Sequence, residues 1–132
     1  MQTILILEDD LRLSQHWQTL LEDEGYHVVA HTDTQQAIQS LDELKIDLVI
    51  SDMIIRDETN HICPKGGLSL MAHIAMNISP PVPKVIAITG SSPELQLDKH
   101  AESMRSDLCL RKPISPEDIV TAVKSTLAKD RN

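Results

Sequence analysis

A chain of 132 residues, 41% hydrophobic and 24% charged, suffices for one domain that buries a single core without disulfides or a structural metal, and nothing in it suggests disorder or a fibrous repeat. Twenty acidic residues against twelve basic ones leave a formal net charge of -8, which works against nucleic-acid binding, because a phosphate backbone has to be neutralised by Lys and Arg. No apolar run approaches the roughly 18 to 20 residues of a membrane span, there is no secretory signal pattern, and two widely spaced cysteines, Cys63 and Cys109, suit a reducing compartment. A single cytoplasmic domain over residues 1–132 is the expectation.

The first short aliphatic run, Thr3 to Leu7, predicts a buried strand. Leu13, Trp17, Leu20 and Leu21 follow at helical spacing, with Trp17 as core, and Gly25 supplies a left-handed stop. His27 to Ala30 is the second strand, and Ala37, Ile38, Leu41 and Leu44 mark the second helix. Leu48 to Ser51 is the third strand; Leu68, Met71, Ala72 and Ile74 mark the helix after it. Lys84 to Ile88 is the fourth strand. Ser92-Pro93-Glu94 opens a solvated helix reaching about Arg105, Leu108 to Leu110 is the fifth strand, and Ser115-Pro116-Glu117 opens a last helix to about Lys129. The alternation predicts an α/β fold, a (βα)5 doubly wound five-stranded parallel sheet covered on both faces.

In such a sheet the ligand site lies beyond the carboxyl ends of the strands, where strand order reverses. Strand one runs into Glu8, Asp9 and Asp10, strand three ends at Asp52, strand four is followed by Thr89, Gly90 and Ser91, and strand five leads into Arg111, Lys112 and Pro113. In the flavodoxin-like order 2-1-3-4-5, Glu8, Asp9 and Asp52 converge. Three carboxylates that close bind either protons or a cation. Mg²⁺ suits the inventory, since it takes oxygen ligands and keeps several waters. Lys112 is placed to pair with Asp52 or with a phosphoryl oxygen. Asp10 reads as a helix cap.

The runs Ile4 to Asp10, Asp47 to Asp52, Val85 to Gly90 and Leu110 to Ile114, in this order and spacing, resemble the receiver domains of response regulators in two-component signalling. The resemblance covers nearly the whole chain. It implies that Asp52 accepts a phosphoryl group from a sensor histidine kinase, a phosphotransfer protein or a small phosphodonor. It further implies that Mg²⁺ is bound by Asp9 and Asp52 directly, by Glu8 through a water and by the Ile54 backbone carbonyl. Lys112 then neutralises phosphoryl charge, Thr89 swings toward the new phosphate, and the Lys112–Pro113 peptide bond is cis. Such a domain is no enzyme beyond its own phosphorylation and dephosphorylation. Its partners are the kinase and a downstream protein or effector domain, with room for a transient homodimer.

Two positions depart from the family pattern. Cys109 stands where Tyr or Phe is usual, which reads as a small buried hydrophobe and puts the usual coupling between Thr and the aromatic in doubt. Residues Arg56 to Gly67, with Asp57, Glu58, His61, Cys63 and Lys65, form a longer loop than usual at the mouth of the site; His61 and Cys63 fall short of a zinc site. These departures favour the alternative of a phosphorylation-independent interaction module. A flavin carrier is disfavoured by the three acids after strand one. An aspartyl phosphatase is disfavoured by Ile54, where a second acid is expected.

Overall fold

The computed structural model describes residues 1–52, 55–56, 62–63, 66–77, 81–89 and 106–129. In chain order the elements are β1 (Thr3–Leu7), α1 (Leu11–Asp23), β2 (His27–His31), α2 (Thr34–Glu43), β3 (Leu48–Asp52), β4 (Ile55–Arg56), β5 (Ile62–Cys63), α3 (Gly66–Asn77), β6 (Lys84–Thr89), β7 (Leu108–Arg111) and α4 (Pro116–Ala128). Five of the strands form one parallel sheet in the order β2-β1-β3-β6-β7, the predicted 2-1-3-4-5.

Because side chains alternate across a strand, each central strand feeds two cores. Leu5, Leu7, Val49, Val85 and Ala87 pack with Ala37 and Leu41 of α2 and Leu70, Met71 and Ile74 of α3. Ile4, Ile6, Leu48, Ile50, Ile86 and Ile88 pack on the other face with Trp17 and Leu21 of α1 and Ile119, Ala122 and Val123 of α4. Burial of each Val, Leu, Ile or Met among them contributes about 1.5–3 kcal/mol, and the strands read as unbroken apolar runs because both faces are covered. Trp17, 1% exposed, is core as expected.

Among the described residues the punctuation holds, while the Ser92-Pro93-Glu94 start lies outside them. Asp10 Oδ1 accepts from Leu13 N–H at 3.2 Å, Asp33 Oδ2 from Gln36 N–H at 3.2 Å, and Ser115 Oγ from Asp118 N–H at 3.1 Å, each satisfying an otherwise orphaned donor at a helix start. Gly25 stands at φ 97° after α1. At the far end of α4 the Lys84 ammonium donates to the carbonyls of Thr126 (2.8 Å), Leu127 (3.4 Å) and Lys129.

The structure extends four predicted strands by one residue, so that Asp52, Thr89 and Arg111 belong to the sheet itself and His31 closes β2. The stretch expected as a plain loop is partly structured: β4 and β5 pair antiparallel, Ile55 with Cys63 and Arg56 with Ile62, and α3 already begins at Gly66. Ile54, His61, Gly90 and the helix predicted over 94–105 lie outside the described residues. Among the described residues no helix is long and apolar enough to cross a membrane.

Candidate functional site

The carboxyl end of β1 carries Glu8 into the interior. Its N–H donates to the His31 carbonyl at 3.1 Å, one step past the last β1–β2 pair, and the residue is fully buried. Asp52, 3% exposed, closes β3 opposite Ile88 of β6. Asp9 is half-buried beside them, and one carboxylate oxygen from each of Glu8, Asp9 and Asp52 lies within 4.8 Å of the others. The predicted convergence of the three acids is therefore present. Asp10, next in sequence, turns away to cap α1.

Lys112 enters from beyond β7, after which its peptide bond to Pro113 is cis. Its ammonium donates to Asp52 Oδ2 at 2.7 Å and to Glu8 Oε1 at 2.6 Å. The pairing with Asp52 follows from the sequence; the equally close pairing with Glu8 does not, because nothing in a linear chain announces a contact between the ends of β1 and β7. Thr89 is placed by its backbone as the last residue of β6, opposite Arg111. Cys109 is half-buried and packs against the core on the α2–α3 side, as a small hydrophobe does.

Glu8 shares the one Lys112 ammonium with Asp52. Burial, reinforced by the neighbouring Asp52 carboxylate, pushes the Glu8 carboxyl up to about 8 despite Lys112. Burial acts to lower the Lys112 ammonium, but its bonds to Asp52 and Glu8 outweigh that and raise it above its ordinary value. Glu8 Oε2 is buried with no hydrogen-bond partner among the described residues, an arrangement that costs on the order of 1–3 kcal/mol. An all-oxygen set with an orphaned carboxylate oxygen fits a hard divalent cation such as Mg²⁺.

Residues 4–124 match the response regulator receiver domain model. The chain belongs to this family. Receiver domains are signalling domains rather than classical enzymes. This one is 28% identical over 129 residues to the transcriptional regulatory protein CpxR of Escherichia coli K12, covering 98% of the chain and 50% of that protein. It is 23% identical over 129 residues to the DNA-binding response regulator MtrA of Mycobacterium leprae, covering 98% and 52%. The receiver domain thus spans about half the length of these curated relatives. Among solved structures, a CheY-like receiver domain protein from Methanospirillum hungatei JF-1 superposes with a TM-score of 0.78 at 23% identity, covering 96% of this chain and 94% of that one. A putative response regulator from Chloroflexus aurantiacus J-10-fl gives 0.80 at 21% identity, covering 97% and 98%. Both share the receiver fold.

Proposed function

We propose that this receiver domain is a Mg²⁺-dependent phosphorylation switch whose acceptor is Asp52. The observation that supports the reading best is the Lys112 ammonium, held at 2.7 Å from Asp52 and 2.6 Å from Glu8 in a cluster completed by Asp9. An Asp52 oxygen attacks the phosphorus of a phosphohistidine on a sensor kinase or phosphotransfer protein. The new O–P bond forms as the P–N bond breaks, and the departing imidazole takes up a proton. Lys112, half-buried and already held against Asp52, neutralises phosphoryl oxygens with little reorganisation. Asp9 and Asp52 would hold Mg²⁺ directly, with Glu8 acting through a water and the Ile54 backbone carbonyl as a further ligand; the ion would supply further neutralisation of phosphoryl charge. The Thr89 hydroxyl turns to the phosphate and carries the segment after β6 with it, which biases a partner-binding surface.

On this reading residues 1–132 act as one receiver unit in the cytoplasm, catalysing only their own phosphorylation and dephosphorylation. The upstream partner is a histidine kinase or phosphotransfer protein. The downstream one is a protein or effector domain, and a transient homodimer is compatible with the switch. The net charge of -8 argues against direct nucleic-acid contact by this chain. The test is a backbone NMR titration with Mg²⁺ and then beryllofluoride, on wild type and on Asp52→Asn. Saturable shifts at Glu8, Asp9, Thr89 and Lys112 that vanish in the variant are expected. Mg²⁺ binding with no response to beryllofluoride would overturn the switch in favour of a phosphorylation-independent interaction module.

A further inference from the structure

The end of β2 is tied to α2 by a side-chain contact that the phosphorylation reading does not use. His31, the last residue of β2, places its ring Nε2 2.7 Å from the Ser40 hydroxyl oxygen, both side chains being half-buried. Its backbone carbonyl accepts the Glu8 N–H at 3.1 Å. We propose that His31 is a positioning residue for the metal-binding acids: anchored by Ser40, it fixes the carbonyl that holds the Glu8 amide and so sets where the chain carrying Glu8 and Asp9 leaves the sheet. The inference rests on the Mg²⁺ reading given above.

The need for such an anchor follows from the topology. Among the described residues β2 is an edge strand, bonded to β1 on one side only, and the last residue of an edge strand frays unless something else holds it. Here α2 does the holding. It is fixed to the core by Ala37 and Leu41, and its start is tied by the Asp33 cap on Gln36. The short turn through Thr32 and Asp33 is thereby closed at both ends, by the cap and by the His31–Ser40 contact. Glu8 hangs from this closed unit by its amide while its side chain reaches Lys112. Its burial leaves the carboxylate no solvent to fall back on if the backbone shifts. Groups hydrogen-bonded to metal-binding side chains commonly cost about 10–100-fold in metal affinity when removed.

The test pairs Ser40→Ala with Ser40→Thr. Alanine is the best helix former, so the first substitution removes the hydroxyl without weakening α2, and the second restores a hydroxyl. Amide hydrogen exchange and the Mg²⁺ dissociation constant are measured on both and on wild type. In Ser40→Ala the Glu8 amide is expected to exchange faster while those of Leu5 and Ile6 keep their protection, and Mg²⁺ binding to weaken severalfold, below the roughly tenfold of a group bonded directly to a ligand, because Ser40 acts through His31. Ser40→Thr should recover both. Unchanged Mg²⁺ affinity in Ser40→Ala, or loss of protection spread evenly along β1, overturns the positioning role and leaves the phosphorylation reading intact. A wild-type chain that takes up no Mg²⁺ overturns both.

Discussion

Glu8 and Lys112, 104 residues apart in sequence, meet at 2.6 Å, as close as the 2.7 Å contact between Lys112 and Asp52. The ammonium therefore serves two carboxylates at once, and removing it has two separable consequences. In Lys112→Met the Glu8 carboxyl loses the cation that lowers it, and its titration midpoint should move above about 8, as followed by carboxyl carbon NMR. Phosphorylation by a small phosphodonor should slow by about 10² or more, the usual effect of deleting one preorganised charge-stabilising donor. Mg²⁺ binding should persist, since the three acids remain.

The raised Glu8 carboxyl dictates a pH dependence. Below about 4.5, its ordinary value, Glu8 is neutral in the folded and the unfolded chain alike; between there and about 8 the unfolded chain ionises it while the folded chain keeps the proton. The folded state then binds more protons, so the metal-free domain should lose stability as pH rises across that window. Lys112 does not offset this, because its contribution is complete below its ordinary 10.5 and is lost only above its raised folded value. Denaturant midpoints measured from pH 5 to 8 should fall in wild type and stay flatter in Glu8→Gln. Mg²⁺ competes with that proton, so its affinity should climb toward pH 8 in wild type, by about tenfold per unit for one proton released. A wild-type midpoint that rises over the same range would contradict the assignment.

What the sequence announced was whatever depends on short range. Apolar runs marked all five strands of the sheet, and local chemistry marked Asp10, Gly25 and Ser115 as boundaries. The convergence of Glu8, Asp9 and Asp52 followed once strand order was assumed. The contacts that escaped are long-range or lack periodicity. Glu8 with Lys112 is one; others are the carboxylates of Asp47 and Asp107, which accept the N–H groups of Thr3 and Val85 at 2.8 and 2.7 Å. The pair of β4 and β5 escaped because two-residue strands are too short to show alternation.

Asp10 separates capping from metal binding. It sits next to Asp9 in sequence, yet its carboxylate accepts from Leu13 N–H and is no part of the three-acid cluster. Asp10→Ala should lower unfolding stability by about 1 kcal/mol, the ordinary value of a helix cap. Mg²⁺ affinity should stay near wild type, whereas Asp9→Ala should lose it. Calorimetric titration of the two variants side by side checks both halves.

Gly25 isolates a backbone effect. Its φ of 97° is one that L side chains rarely adopt, while a Cβ added there meets nothing within 4 Å. Gly25→Ala should therefore cost about 1–2 kcal/mol from conformation alone, and a larger residue such as Ser should cost about the same. A loss that grew steeply with side-chain size in chemical denaturation would point instead to a steric clash.

Lys84 makes the last prediction. It opens β6, on the strand whose other end is Thr89, and its ammonium collects the carbonyls of Thr126, Leu127 and Lys129 at the end of α4. These carbonyls lie in the last turn and cap, where the i→i−4 ladder runs out and Thr126 O is met only by the Lys129 N–H at 3.4 Å among backbone donors of the described residues, and a cation there also meets the negative end of the helix dipole. No basic residue in the last turn of α4 does this work locally, so the helix borrows its terminal charge from the sheet. Lys84→Met keeps the apolar stem and removes only the donor. It should cost about 1–2 kcal/mol, the upper range for a partly buried cation at a helix end, with amide exchange accelerating in the final turn of α4 and not at its Ser115 cap. Acceleration along the whole helix would mean that Lys84 holds α4 to the sheet rather than closing its end.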